Sequence, residues 1–202
     1  MVVSLVEAIL DRAGDAPRFI IAIAGPPGAG KSTLVADLAE ALERRGEKAA
    51  VVPMDGFHYD DAVLKQRGLS HRKGAPETFD FAGLRVLLQR LRAREPDVAI
   101  PLFDRLMELA RAAAAIVGKD VRLVLVEGNY LLLDEEPWTG LESLFDFSIY
   151  LDVPRSELER RLLARWHDHG RDPEAARRWV ETNDLPNADR VAGRRRKADM
   201  VV

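Results

Sequence analysis

Cysteine is absent from all 202 residues, which excludes disulfides and thiolate metal sites and is compatible with a reducing compartment. No apolar run approaches the roughly 20 residues that a membrane-spanning helix needs. The opening stretch Met1-Val2-Val3-Ser4-Leu5-Val6-Glu7 has no basic segment ahead of an apolar one, unlike a secretion leader. A cytoplasmic protein with no membrane insertion is therefore expected. Surplus positive charge is lacking too: 30 Lys and Arg stand against 33 Asp and Glu, a net of −3, so nothing points to a nucleic-acid-coating surface. There is no internal repeat and no low-complexity tract. A chain of this length is expected to form one domain over 1–202.

What is present is concentrated at Gly25-Pro26-Pro27-Gly28-Ala29-Gly30-Lys31-Ser32, which satisfies G-x-x-x-x-G-K-[S/T] at every fixed position. Glycines at this spacing let successive backbone N–H groups surround a β-phosphate. Lys31 is then placed to reach the β/γ oxygens, and Ser32 to offer an oxygen to Mg²⁺. The flanks supply the context the motif needs. Phe19–Ala24 is an apolar run of strand length, and Leu34, Leu38 and Leu42 recur afterwards at helical spacing. Strand, loop and helix in that order aim the positive helix N-terminus at the phosphates. Gly25 through Ser32, with Thr33, are the expected nucleotide-binding residues, and ATP with Mg²⁺ is the expected cofactor pair.

Further strands are expected at 48–54, 121–126, 147–153 and 198–202, with an extended piece at 98–105 that Pro101 restricts to an edge position. Between them lie helical patterns. Val3, Val6, Ile9 and Leu10 form a cover helix within 1–14. A short helix is plausible from Asp60 to Arg67, and Phe81, Leu84, Leu87, Leu88 and Leu91 share one face of a longer one. Leu158, Leu162 and Trp166 point inward from a long helix after 155. A further helix starts at Pro173 and is broken near Leu185-Pro186. Alternation of strands and helices predicts a three-layer α/β/α sandwich, a P-loop NTPase fold with a mainly parallel five-stranded sheet.

Strands deliver chemistry at their carboxyl ends in such sheets. The second strand delivers Asp55, a candidate base for an acceptor hydroxyl, since phosphoryl transfer needs positioning and charge more than covalent help. Its plainer reading is a strand-end Asp-Gly turn. The third delivers Glu127, whose longer arm suits a metal-bound water and makes it, with Ser32, the expected metal-shell pair. Arg161 and Arg165 lie at i, i+4 and project from one side of their helix. They are candidate catalytic cations, although Arg155, Arg160, Arg161 and Arg165 alternating with Glu157 and Glu159 read equally as a solvated face. His167 and His169 are two apart and point to different sides, which disfavours a metal pair.

With these residues placed, the chain resembles the uridine kinase/phosphoribulokinase/type I pantothenate kinase family from about Arg18 to Val202. Asp55-Gly56-Phe57-His58 is similar to the D-G-F segment whose aspartate is the base in these kinases. Lys73-Gly74-Ala75-Pro76-Glu77-Thr78-Phe79-Asp80 resembles an acceptor-site segment, as does the stretch carrying Pro101, Phe103, Asp104 and Arg105. Glu127-Gly128-Asn129-Tyr130 is similar to the family's E-G-x-x turn, and Asp184-Leu185-Pro186-Asn187 to its late N-L-P-N element, where the asparagine faces the acceptor. Within the family the spelling is most like the bacterial fructose transport system kinases and nucleoside kinase-like proteins. The chain is shorter than pantothenate kinases, which puts pantothenate in doubt.

The resemblance implies transfer of the γ-phosphoryl group to a hydroxyl of a sugar such as fructose, a nucleoside or a related small molecule. It implies an acceptor-site insertion at 56–105, a lid-type region at 155–172, and acceptor contacts from Asp55, His58, Arg105, Glu127, Tyr130 and Asn187. A non-catalytic ATP sensor on a transport system is the alternative, disfavoured by the intact Lys31, Ser32, Asp55 and Glu127. No N-K-x-D segment supports a GTPase. The oligomeric state is left open.

Overall fold

The computed structural model describes residues 1–202. Five parallel strands form the central sheet: β1 (Phe19–Ala24), β2 (Ala49–Pro53), β5 (Leu123–Gly128), β6 (Phe147–Tyr150) and β7 (Met200–Val201), in the order β2-β5-β1-β6-β7. In β1, Ile20 and Ala22 enter the core on one face of the sheet while Ile21 and Ile23 enter the core on the other. This is the two-residue period of a strand buried on both sides, and it explains the unbroken apolar spelling.

One face is covered by α1 (Val2–Ala13), α2 (Lys31–Glu43), α5 (Arg155–Asp168) and the first part of α7 (Leu185–Gly193). The other is covered by α4 (Phe81–Arg92), which comes after the short helix α3 (Asp61–Gln66) in the chain, by the segment around Trp138, and by a separate hairpin. Helix α1 buries Leu5, Val6, Ile9 and Ala13. Val3 is exposed, so the inward stripe runs at i, i+4 from Leu5, not from Val3. At α4, the Asp80 carboxylate accepts the Gly83 N–H at 2.9 Å, a cap worth about 1 kcal/mol. No helix is long and apolar enough to cross a membrane.

The 98–105 piece is an edge strand as expected, but of a second sheet: β3 (Val98–Asp104) pairs antiparallel with β4 (Leu109–Val117) in a two-stranded sheet of their own. Pro101 falls at the register shift between Ile100 and Leu102, where its missing N–H costs no ladder bond. Strand β4 has no counterpart among the expected elements. Its Ala-rich spelling carries no strand propensity, and pairing with β3 holds it extended. The expected break at Leu185-Pro186 is absent as well. From α6 (Pro173–Trp179) the backbone continues through a π-helical turn, Val180–Asp184, directly into α7. Pro186 sits in the first turn of α7, directly after the wider π-helical turn.

Candidate active site

The strand register assembles one rim. Pro53 and Ile23 both pair with Glu127, and Ala24 pairs with Gly128, so three strand ends present their following residues side by side. From the first comes the phosphate loop. Gly28 and Gly30 have φ of 81° and 94°, conformations that favour glycine, and Gly30 then caps α2. Gly25, Pro26 and Ala29 are buried beneath the loop, while Pro27, Gly28, Gly30, Ser32 and Thr33 line a cavity above it.

Lys31 retains only 8% exposure. Its ammonium donates to the Pro26 carbonyl at 3.0 Å and to Asn129 Oδ1 at 2.6 Å, and burial pushes its pKa down, with Glu127 and Asp55 opposing. Glu127, 7% exposed, accepts from the Ser32 hydroxyl at 3.2 Å. Burial raises its pKa against the pull of Lys31. Asn129, which follows β5, is a candidate site residue that the sequence shows only as part of the Glu127-Gly128-Asn129-Tyr130 turn. Its position beside the loop follows from the β1–β5 register.

From the second strand comes Asp55, in a single 3₁₀ turn (Met54–Phe57) directly after β2. This turn packs so closely on the hairpin that a Cβ at Gly56 would collide with the Pro101 carbonyl oxygen. Asp55 Oδ2 accepts from Arg105 at 2.8 Å, and Oδ1 lies 3.9 Å from His58 Nε2. His58 is pressed against Phe79, with ring centroids 4.0 Å apart. Burial lowers its pKa, so the ring is neutral near pH 7.

Two cavities meet at this rim. One, over the phosphate loop, includes Lys31, Ser32, Glu127 and Arg161. The other lies between the hairpin and the α5–α6 side, and includes His58, Phe103, Trp166, Trp179, Asp184 and Asn187. Asp55, Arg105, Asn129, Arg165 and Pro27 line both.

Arg161 and Arg165 have different surroundings. Arg161 donates to Glu157 at 2.6 Å and to the carbonyls of Gly28 and Ala29 at 3.4 and 3.2 Å, holding the loop from outside. No acid lies within ion-pairing distance of Arg165; burial and the nearby Arg105 guanidinium lower its pKa. Arg160 pairs with Glu157 and Arg155 with Asp189, so part of this helix is the solvated face also considered.

Two expected acceptor contacts fall elsewhere. Tyr130 is fully buried and its hydroxyl donates to the Gly74 carbonyl at 2.5 Å, so it braces the loop that borders the cavity. Glu127 lines only the phosphate side. Asp55, His58, Arg105 and Asn187 do line the second cavity. Lys73 and Asp184, each at the head of a segment that resembles the family's acceptor site, join them, as does Glu108, which no local pattern marks.

A family model described as Phosphoribulokinase / Uridine kinase family matches residues 20–202. The chain is 37% identical over 187 residues to the uncharacterized protein YggC of Escherichia coli (strain K12), covering 92% of this chain and 77% of YggC. It is 33% identical over 153 residues to the pantothenate kinase of Listeria monocytogenes serotype 4a (strain HCC23), covering 73% of this chain and 49% of that enzyme. It thus spans about half the length of the pantothenate kinases it matches. Among solved structures, one described as a "putative fructose transport system kinase" from Silicibacter sp. TM1040 superposes with a TM-score of 0.95 at 45% identity, covering 100% of this chain and 98% of that one. The chain belongs to the phosphoribulokinase/uridine kinase family of phosphate-loop kinases, phosphotransferases with hydroxyl acceptors.

Proposed function

We propose that this chain, as a single kinase domain, transfers the γ-phosphoryl group of ATP to a hydroxyl of a sugar, nucleoside or related small polar molecule. The observation that carries the reading is the shared wall. Asp55 and Arg165 border both the phosphate-loop cavity and its neighbour, as an in-line transfer between two bound molecules requires. Asp55 takes the proton from the acceptor hydroxyl through the oxygen not held by Arg105. The acceptor oxygen bonds to the γ-phosphorus, the bond to the β–γ bridging oxygen breaks, and ADP leaves. Arg165 has no carboxylate partner in the chain and is free to follow the charge on the moving phosphoryl group. Lys31 turns from Pro26 and Asn129 to the β/γ oxygens.

Ser32 Oγ and Glu127 Oε1, 3.2 Å apart, are hard oxygen donors that fit Mg²⁺, which takes one or two protein oxygens and completes its shell with phosphates and water. Bound there, Mg²⁺ would neutralise charge on the β- and γ-phosphates. The segments 56–105 and 155–172 serve as acceptor-site insertion and lid-type region in this reading.

Incubation with ATP, Mg²⁺ and a panel of sugars and nucleosides, with the phosphorylated product identified by mass, tests the proposal. At least one acceptor is expected to be phosphorylated, and Lys31→Ala to lose turnover with it. ATP binding with no acceptor turned over would favour the sensor alternative.

A further inference from the structure

The charges and rings of the second cavity narrow the acceptor, on the footing of the phosphoryl-transfer reading above. Three cations line it: Lys73, Arg105 and Arg165. Lys73 is bound to Asp61 at 2.8 Å and to Glu108 at 3.3 Å. Arg105 is bound to Asp55 at 2.8 Å. Arg165 alone lacks an acid, and it also borders the phosphate-loop cavity, where the γ-phosphate would claim it. Of the cations that line the cavity none is left over for an anion on the acceptor, and Arg171, which does not line it, is engaged with the rings of Trp166 and Trp179. The far wall is instead acidic and amide-bearing, with Asp184 and Asn187, and an acceptor's carboxylate or phosphate placed there would meet like charge.

The aromatic rings do not form a slot for a nucleobase either. A flat base sandwiched between two rings needs roughly parallel faces about 7 Å apart, twice the contact distance between stacked atoms. His58 and Phe79, at 31° the closest to parallel, already touch at 4.0 Å. His58 and Phe103 are inclined at 56°, and Trp166 and Trp179 at 76°. The Arg171 guanidinium already stacks on both tryptophans, 4.6 and 4.7 Å from the ring centroids. The remaining groups suit hydroxyls. The Asn129 amide nitrogen makes no hydrogen bond within the chain. Asp184 accepts from two indoles, Trp166 Nε1 at 2.7 Å and Trp179, which still leaves carboxylate lone pairs for hydroxyl donors.

We propose that the acceptor is a small, uncharged, non-aromatic polyol, a sugar or sugar alcohol, and that the cavity rejects nucleosides, hydroxy acids and sugar phosphates. The test is a comparison of kcat/KM across four sets at fixed ATP and Mg²⁺: neutral hexoses and pentitols, pyrimidine nucleosides, hydroxy acids such as glycerate, and hexose monophosphates. Highest turnover with a neutral polyol is expected. Preference for a nucleoside or an anionic acceptor would overturn the inference while leaving the kinase reading intact; turnover of no set would overturn both.

A variant checks the charge argument directly. Glu108→Gln removes one of the two acids on Lys73 and is expected to raise kcat/KM for glycerate relative to the neutral acceptor by about fivefold. An unchanged ratio would contradict the claim that paired charge excludes anions.

Discussion

A lysine buried as deeply as Lys31 is costly unless an anion faces it, and the nearby Glu127 and Asp55 only partly offset its desolvation. The site therefore favours a bound phosphate before any chemistry begins. His58 shows the opposite solution: burial keeps its ring neutral, although Asp55 and Glu108 favour the charged form, with Lys73 and Arg105 adding to the effect of burial. Because its folded pKa lies below the unfolded value, the unfolded chain binds the proton first on acidification. Stability should fall as pH drops through the unfolded value of about 6.5 towards the folded one. His58→Gln should flatten that part of the loss, and melting temperature recorded from about pH 7 to about pH 5 checks it. At this scale Lys31, Ser32 and Asp55 were legible because a local pattern places them. Tyr130 was misplaced because a tyrosine after a strand end reads the same whether it faces a cavity or, as here, the Gly74 carbonyl.

Two of the four arginines on helix α5 have separate work. Arg161 ties down loop carbonyls, whereas Arg165 stands at the wall between the cavities. Arg165→Ala should lower kcat about a hundredfold with little change in KM for ATP. Arg161→Ala should act mainly on KM for ATP. Steady-state kinetics on both variants separates the two roles, and normal turnover by the double variant would remove both from the mechanism.

The turn carrying Asp55 depends on the hairpin. Gly56→Ala must push it off Pro101, with an expected stability loss of about 1–3 kcal/mol in urea unfolding, accompanied by loss of turnover. Neither the hairpin's second strand nor the π-helical turn was legible. Alanines in β4 are extended only because β3 pairs with them, and the wide turn before Pro186 becomes visible only in the helix that contains it. Helices α2 and α4 were legible because an apolar stripe against a polar face is a property of the segment itself.

The whole molecule brings the ends of three parallel strands into register and covers both sheet faces, so that residues far apart in the chain meet at one wall. That architecture was readable in outline, since apolar strands alternating with amphipathic helices admit few other arrangements. The second cavity was readable only in part: the segments that begin at Lys73 and Asp184 resemble the family's acceptor site, whereas Glu108 and Trp179 reach the cavity from a hairpin tip and a turn of helix that no local pattern marks. Its link to the phosphate loop through Asp55 is the central claim. The most direct measurement is turnover by Asp55→Asn, paired with the rise in melting temperature on adding ATP and Mg²⁺, which reports donor binding independently of chemistry. The rise should match that of the parent, while kcat with an acceptor the parent phosphorylates should fall by about a hundredfold or more. Turnover within about tenfold of the parent, a change smaller than general-base loss produces, would contradict Asp55 as the base at that wall.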